Sequence, residues 1–300
     1  MYKLVRHEFG FLAIDPTPSE QEVERYYLEE FYSNPQVFND SSLEVQNKQD
    51  DFFTRRYDFI FERCKKLFQK DLKGETVWDI GCGYGLALKY FLDKGLKAFG
   101  NEPSREGCEH ARFLGASVTQ TGIEEIVASD TGRFGIVLCL DVLEHLRDPV
   151  ASLLKVRENL MNEESILVID VPNEFNTFQV VANDEFDLKE WWVSPPRHLN
   201  YFSASSLTNT LEKCGFEVLA LESSFPLEIF LLLGFNYVGN QEIGSDVHQR
   251  RNNFEKLMVS HGKKQELINF YGALAELDLG RQVTAYCRKK SDYDSSNNLQ

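Results

Sequence analysis

The chain contains no Cys-x-x-Cys pair. Its six cysteines, Cys64, Cys82, Cys108, Cys139, Cys214 and Cys287, are scattered, and the stretch from Met1 to Phe52 has none. That spacing argues against a disulfide framework or a cysteine zinc site and fits reduced thiols. Long apolar runs are missing too. The strongest, Ile229-Phe-Leu-Leu-Leu-Gly234, falls far short of the roughly 20 residues a spanning helix needs, so membrane insertion is not expected. The N-terminus carries charges throughout and lacks an apolar signal core, which makes the cytoplasm the expected compartment. Positive charge is scarce: 32 Lys and Arg face 47 Asp and Glu, a formal charge of −15. Such a surface repels a phosphate backbone, so nucleic acid is not an expected partner.

What is present is a 300-residue chain, 42% hydrophobic and 26% charged, enough for one large α/β domain with additions or for two small domains. Residues 1–70 are rich in aromatics and charge and read as a helical N-terminal lid or platform. Asp15-Pro-Thr-Pro-Ser-Glu20 leads into a helix capped at Ser19. Helical periodicity runs over 43–68, with Phe52, Ile60, Cys64 and Phe68 pointing inward.

From Glu75 onward, strand and helix patterns alternate. Strands are expected at 77–80, 97–102, 116–120, 134–140, 166–171, 216–221 and 282–287. The fold class is α/β: a seven-stranded, mostly parallel, Rossmann-like sheet with helices on both faces. The core spans 71–223, and its last strand lies within 281–289. Between the last two strands lie about 60 residues, too many for a loop. Residues 224–280 therefore read as a helical cap insertion, with helices at 227–233, 253–259 and 265–277. The polar tail, 290–300, is expected to be disordered.

The stretch Glu75-Thr-Val-Trp-Asp-Ile-Gly-Cys-Gly-Tyr-Gly85 is a buried strand, a glycine turn and the start of a helix. That order brings backbone close to a ligand and aims a helix N-terminus at it. Asp79 stands two places before Gly81. The spacing is G-x-G-x-G through Gly81, Gly83 and Gly85, with Leu at position 86 where a dinucleotide fingerprint needs glycine. Glu102 follows 21 residues after Gly81, at the end of the second core strand, where a carboxylate can accept from a ribose diol. The apolar strand 134–140 then runs into Asp141-Val-Leu-Glu-His145, and Val168-Ile-Asp-Val-Pro-Asn173 closes the next one.

In this order the four elements resemble class I, Rossmann-like S-adenosylmethionine-dependent methyltransferases. The region Pro196-Arg-His-Leu-Asn-Tyr-Phe-Ser203 adds a resemblance to ubiquinone-type small-molecule enzymes. Phe225 to Gly234 and Asn39 to Gln46 resemble methyltransferases of bacterial polysaccharide clusters. The resemblance implies S-adenosylmethionine as cofactor and a small-molecule methyl acceptor, such as a sugar or nucleotide-sugar hydroxyl. Asp79, Gly81, Cys82, Gly83 and Gly85 would hold the methionine end. Glu102, with Pro103 beside it, would hold the ribose, Gly122 and Ile123 would border the adenine, and Leu140 and Asp141 would lie near the sulfonium.

Methyl transfer is an in-line displacement that depends on alignment and exclusion of water, and a hydroxyl nucleophile benefits from a base. His145 and His198, both placed after strands at the ligand edge, are the candidate catalytic residues. Glu144 with His145 supplies only two ligands, so no metal is assigned. Trp191-Trp192 suits either an aromatic substrate wall or ordinary packing. A dinucleotide-binding protein, a protein or RNA methyltransferase and a non-catalytic cofactor-binding regulator remain the alternatives.

Overall fold

The computed structural model describes residues 2–26, 50–126 and 133–291. Its centre is a seven-stranded sheet. Strands β3 (Thr76–Ile80), β4 (Lys97–Asn101), β5 (Ser117–Thr119), β6 (Phe134–Leu140) and β7 (Met161–Pro172) run parallel. Strand β10 (Gln282–Lys289) inserts antiparallel between β7 and β9 (Phe216–Ser223), giving the order β5-β4-β3-β6-β7-β10-β9. Val77, Trp78 and Ile80 are all buried, as a central strand covered on both faces requires. The seven expected strands are all present. The order reverses on either side of β3 and β6, and the carboxyl ends of the parallel strands share one edge, where ligands bind in open sheets of this kind.

Helices α3 (Leu86–Asp93), α4 (Arg105–Phe113), α5 (Pro149–Asn159) and α7 (Ala204–Lys213) lie between the strands. Two apolar clusters result. One gathers Trp78, Ile80, Val137, Leu167 and Ile169 with Leu207 and Leu211, the other Val77, Leu138 and Val168 with Leu88 and Phe91. They contain alternate residues of the same strands, so they occupy opposite faces of the sheet.

The N-terminal region, expected as a helical lid or platform, contains helices but begins with two short strands. Strands β1 (Lys3–Arg6) and β2 (Leu12–Asp15) form a hairpin, and β2 pairs with the two-residue β8 (Asn200–Tyr201) in a separate sheet. Strands this short carry little periodicity, and the pairing partner lies some 190 residues away, beyond any local signal. Helix α1 (Glu20–Arg25) starts at Ser19 with a complete capping box, and α2 (Asp50–Phe68) bears out the second helical segment. Positions 43–49 of that expectation lie outside the described residues, as does nearly all of the tail. On α2, Ile60 and Cys64 are buried, while Phe52 and Phe68 are half-buried.

Between β9 and β10 stand α8 (Glu228–Leu232), α9 (Gln241–Ser260) and α10 (Lys264–Glu276). Helix α9 begins well before the expected 253. Its first half is polar, held by the Asn240 cap and a one-turn Asp246–Arg250 ion pair rather than by an apolar stripe. Helix α2 ties this insertion to the sheet. Arg55 reaches Glu255 (3.2 Å) and Asn252 (3.0 Å) on α9, the Arg251 guanidinium lies 4.1 Å above the Phe52 ring, and Arg63 pairs with Glu222 on β9.

Candidate active site

The glycine turn between β3 and α3 has left-handed backbone at Gly81, Gly83 and Gly85. At Gly83 (φ +52°) a Cβ would meet nothing within 4 Å, so the residue keeps both a difficult conformation and an open face. At Gly85 a Cβ would lie 2.5 Å from the Ala111 Cβ, so glycine there lets α3 pack against α4. The turn is tied to the end of β4 by hydrogen bonds. Cys82 N donates to the Asn101 carbonyl (3.0 Å) and Gly83 N to Glu102 Oε2 (2.9 Å).

Glu102 is buried just after β4. Its second oxygen accepts from Ser104 N (2.8 Å), at the residue that caps α4. Burial raises its pKa, and the two backbone donors partly oppose the rise. The neighbouring Asn101 accepts from Trp78 Nε1 (3.1 Å) and donates to the Thr121 carbonyl (3.2 Å). That bond draws Gly122 and the buried Ile123 to the same edge as the turn. Pro103 is exposed on the rim. Asp79, buried on β3, has its pKa pushed up to about 8 by burial, then by the charges of Glu102 and Asp141. Three carboxylates thus crowd one edge, with Cys82 buried beneath them.

Leu140 ends β6 half-buried, and Asp141 follows it in left-handed backbone (φ +56°). Asp141 Oδ2 accepts from Arg56 Nη1 and Oδ1 from Gln282 Nε2, both at 2.7 Å. The same guanidinium reaches Asp170 Oδ1 on β7 (2.7 Å), and Thr284 donates to the other Asp170 oxygen. Burial pushes Asp170 up to about 6 although Arg56 opposes this. Arg56, Gln282 and Thr284 were not among the residues expected from sequence, and Asp170 only as part of the Val168–Asn173 element. Each looks ordinary in its own helix or strand, and only the tertiary fold brings them together.

His145 and His198 do come together. The 3-10 turn Leu143–His145 is stapled to the later loop, since Leu199 N donates to the Glu144 carbonyl (2.8 Å) and Asn200 Nδ2 to the Leu146 carbonyl (2.7 Å). The β1–β2 hairpin braces that loop through Ile14 N to the Leu199 carbonyl (3.0 Å). The two imidazole centroids are 5.0 Å apart. His145 Nδ1 lies 2.6 Å from the Arg197 carbonyl, which only accepts, so this nitrogen carries the proton and Nε2 the lone pair. Nε2 faces Glu144 Oε1 at 3.6 Å.

Burial lowers the His145 pKa to about 4 and that of His198 to about 2, so both rings are neutral near pH 7. Burial and then Asp141 push Glu144 well up, which favours its protonated form. Ligand atoms of Glu144, His145 and His198 all lie within 4.8 Å of one another. His198 thus adds a third donor to the two recognised in the sequence, and the trio could take up a proton or hold a cation. Trp192 is buried against Ile14, Leu199 and Phe175, and Trp191 packs on the same cluster, which is the packing alternative for that pair.

A family model described as a methyltransferase domain matches residues 52–221, more than half of the chain, including the glycine turn, Glu102 and the Asp141–His145 segment. The chain belongs to this methyltransferase family. Its fold is the Rossmann-like one of class I methyltransferases. A ubiquinone biosynthesis O-methyltransferase of Actinobacillus pleuropneumoniae serotype 5b is 29% identical over 173 residues, covering 51% of this chain and 71% of that protein. The same-named protein of Vibrio parahaemolyticus is 30% identical over 102 residues, 32% of this chain and 41% of that protein. Among solved structures, the plantazolicin methyltransferase BpumL, bound to a monoazolic desmethylPZN analogue and SAH, superposes at TM-score 0.54. It is 17% identical, with 90% of this chain and 97% of that one covered, so the likeness is one of fold. The carboxylates at this edge suit a cationic ligand such as S-adenosylmethionine. S-adenosylmethionine carries an ammonium and a sulfonium, and the crowding that raises Asp79 is relieved by a cationic ligand.

Proposed function

We propose that the methyltransferase moves a methyl group from S-adenosylmethionine to a hydroxyl of a small molecule, of sugar or nucleotide-sugar type. The observation that carries this reading is the neutral His145–His198 pair beside Asp141, with the His145 proton held on Nδ1 by the Arg197 carbonyl. Bound S-adenosylmethionine supplies a methyl group already made electrophilic by its sulfonium. Asp79 and the turn through Gly81, Cys82, Gly83 and Gly85 hold the methionine end, Glu102 with Pro103 the ribose, and Gly122 with Ile123 the adenine. Leu140 and Asp141 border the sulfonium.

On this reading His145 Nε2 accepts the proton the hydroxyl gives up. The charge that arrives on the ring is offset by Asp141, whose field already favours the imidazolium. His198 packs beside it and limits water. The described part of the N-terminal region and 224–280 cover the cleft and select the acceptor. The O-methyltransferase names of the sequence relatives support a hydroxyl as acceptor. Labelled methyl groups supplied as S-adenosylmethionine are expected to enter the small-molecule fraction of an extract and to spare protein and RNA. Label in either polymer, or in nothing despite cofactor binding, would overturn the reading.

A further inference from the structure

Arg281 immediately precedes β10, next to the Gln282 that holds Asp141, and so lies on the methyl-transfer edge of the sheet. Its Nη1 is 3.1 Å from Glu228 Oε1 and 3.7 Å from Glu174 Oε2. Gln179 Nε2 donates to the same two atoms, at 3.4 and 2.8 Å. Glu174, Gln179 and Glu228 are 3%, 0% and 0% exposed. This cluster joins α6 (Thr177–Phe186) to α8 and borders His198, whose imidazolium form Arg281 disfavours.

The bonds within the cluster use donors on two acceptor atoms and leave others without partners. Glu228 Oε2, Gln179 Oε1 and Asn183 Oδ1 are buried atoms with none. Gln179 and Asn183 stand four residues apart on α6 and therefore share a face. A buried, unpaired polar atom forfeits its hydrogen bonds to water without replacing them, so packing alone does not account for three of them here. All three are acceptors, and what they lack is donors. Hydroxyl groups supply such donors without adding charge beside Arg281.

We propose that Gln179, Asn183 and Glu228 form an acceptor subsite that takes hydroxyl groups of a neutral polyhydroxylated molecule and holds it beside His198. Glu174 holds Gln179 and Arg281 holds Glu228 through their other polar atoms. The inference rests on the reading of the chain as a methyltransferase of small-molecule hydroxyls.

The test is saturation-transfer NMR on the full chain with methyl α-D-glucopyranoside, and separately with choline, each with and without S-adenosylhomocysteine. The glucoside is expected to give a signal that weakens about tenfold in Glu228→Gln and Gln179→Met, the loss of roughly one buried hydrogen bond. Asn183→Leu, at a half-buried position, guards against misfolding in the other two and is expected to weaken the signal as well. No glucoside signal, an undiminished signal in all three variants, or choline binding in its place would overturn the subsite. Calorimetry with S-adenosylmethionine runs in parallel. Failed cofactor binding would overturn the methyltransferase reading, while the glucoside measured without cofactor would still judge the subsite.

Discussion

Arg56 Nη1 and Asp141 Oδ2 stand 2.7 Å apart although 85 residues separate them, and the same guanidinium holds Asp170 at 2.7 Å. One side chain of the N-terminal helix therefore neutralises the ends of two neighbouring core strands. Breaking a buried pair by removing one partner costs far more than a surface ion pair contributes. Arg56→Met is expected to lower unfolding free energy by about 3 kcal/mol, because Asp170 is left buried with Thr284 as its remaining partner. Adding Asp170→Asn should recover part of that loss. Urea unfolding of the wild type, both single variants and the double variant measures the coupling, and strictly additive losses would show that the pair is not a unit.

Glu102 is fixed by Gly83 N and Ser104 N, so its carboxylate orientation is set before any ligand arrives. If it holds the ribose, Glu102→Ala removes the diol's acceptors and loosens the glycine turn together. Calorimetry is expected to show S-adenosylmethionine affinity falling by well over about tenfold, the scale of one or more charge-assisted hydrogen bonds. Unchanged affinity would remove Glu102 from the cofactor site.

Asp79 gives a prediction with a sign. In the fold its carboxyl keeps its proton up to about pH 8, against an ordinary value of 3.8. The folded state therefore binds more protons than the unfolded chain between those values. The associated stability is complete below the ordinary value and is lost as pH rises through the folded one. Asp79→Asn cannot ionise, so it should be more stable than the wild type at pH 8–9, by about 1–3 kcal/mol in urea unfolding, with the difference shrinking towards pH 4. The same variant should bind S-adenosylmethionine more weakly, since it lacks the charge that would face the ammonium. A stabilisation that did not vary with pH would contradict the linkage.

The strands and the glycine turn were legible because their signals are local. Val77, Trp78 and Ile80 form an apolar run, Gly81 to Gly85 alternate, and Glu102 follows at a fixed distance along the same unit. Arg56 illustrates what was not legible. It sits in Thr54-Arg-Arg-Tyr57, where Arg55 turns to the insertion and Arg56 to the sheet, and helical periodicity alone does not tell which arginine meets which carboxylate. The β1–β2 hairpin was hidden for a related reason. Its register is completed by Asn200 and Tyr201, so the pattern that defines the sheet is not contiguous in sequence. Glu228 and Gln179 likewise look like ordinary helix residues until the fold buries both.

The two histidines are the sharpest test of the chemistry. With its pKa at about 4, His145 is already unprotonated throughout the range in which a free imidazole, at 6.5, would titrate. If it is the proton acceptor, turnover should stay level from pH 8 down through 6.5 and fall only as pH approaches its lowered value. A fall centred near 6.5 would mean an ordinary, solvated imidazole and would contradict the buried geometry. His145→Ala is expected to cut kcat by about 10²–10³, the usual contribution of a positioned base, with cofactor affinity preserved. His198→Ala should have a smaller effect and should move the acid limb upward, since the neighbouring His198 helps to hold the His145 pKa down by excluding water. A chelator is expected to leave turnover intact. If chelation abolished turnover and a divalent cation restored it, Glu144, His145 and His198 would be ion ligands, and the proton would have to leave through another group.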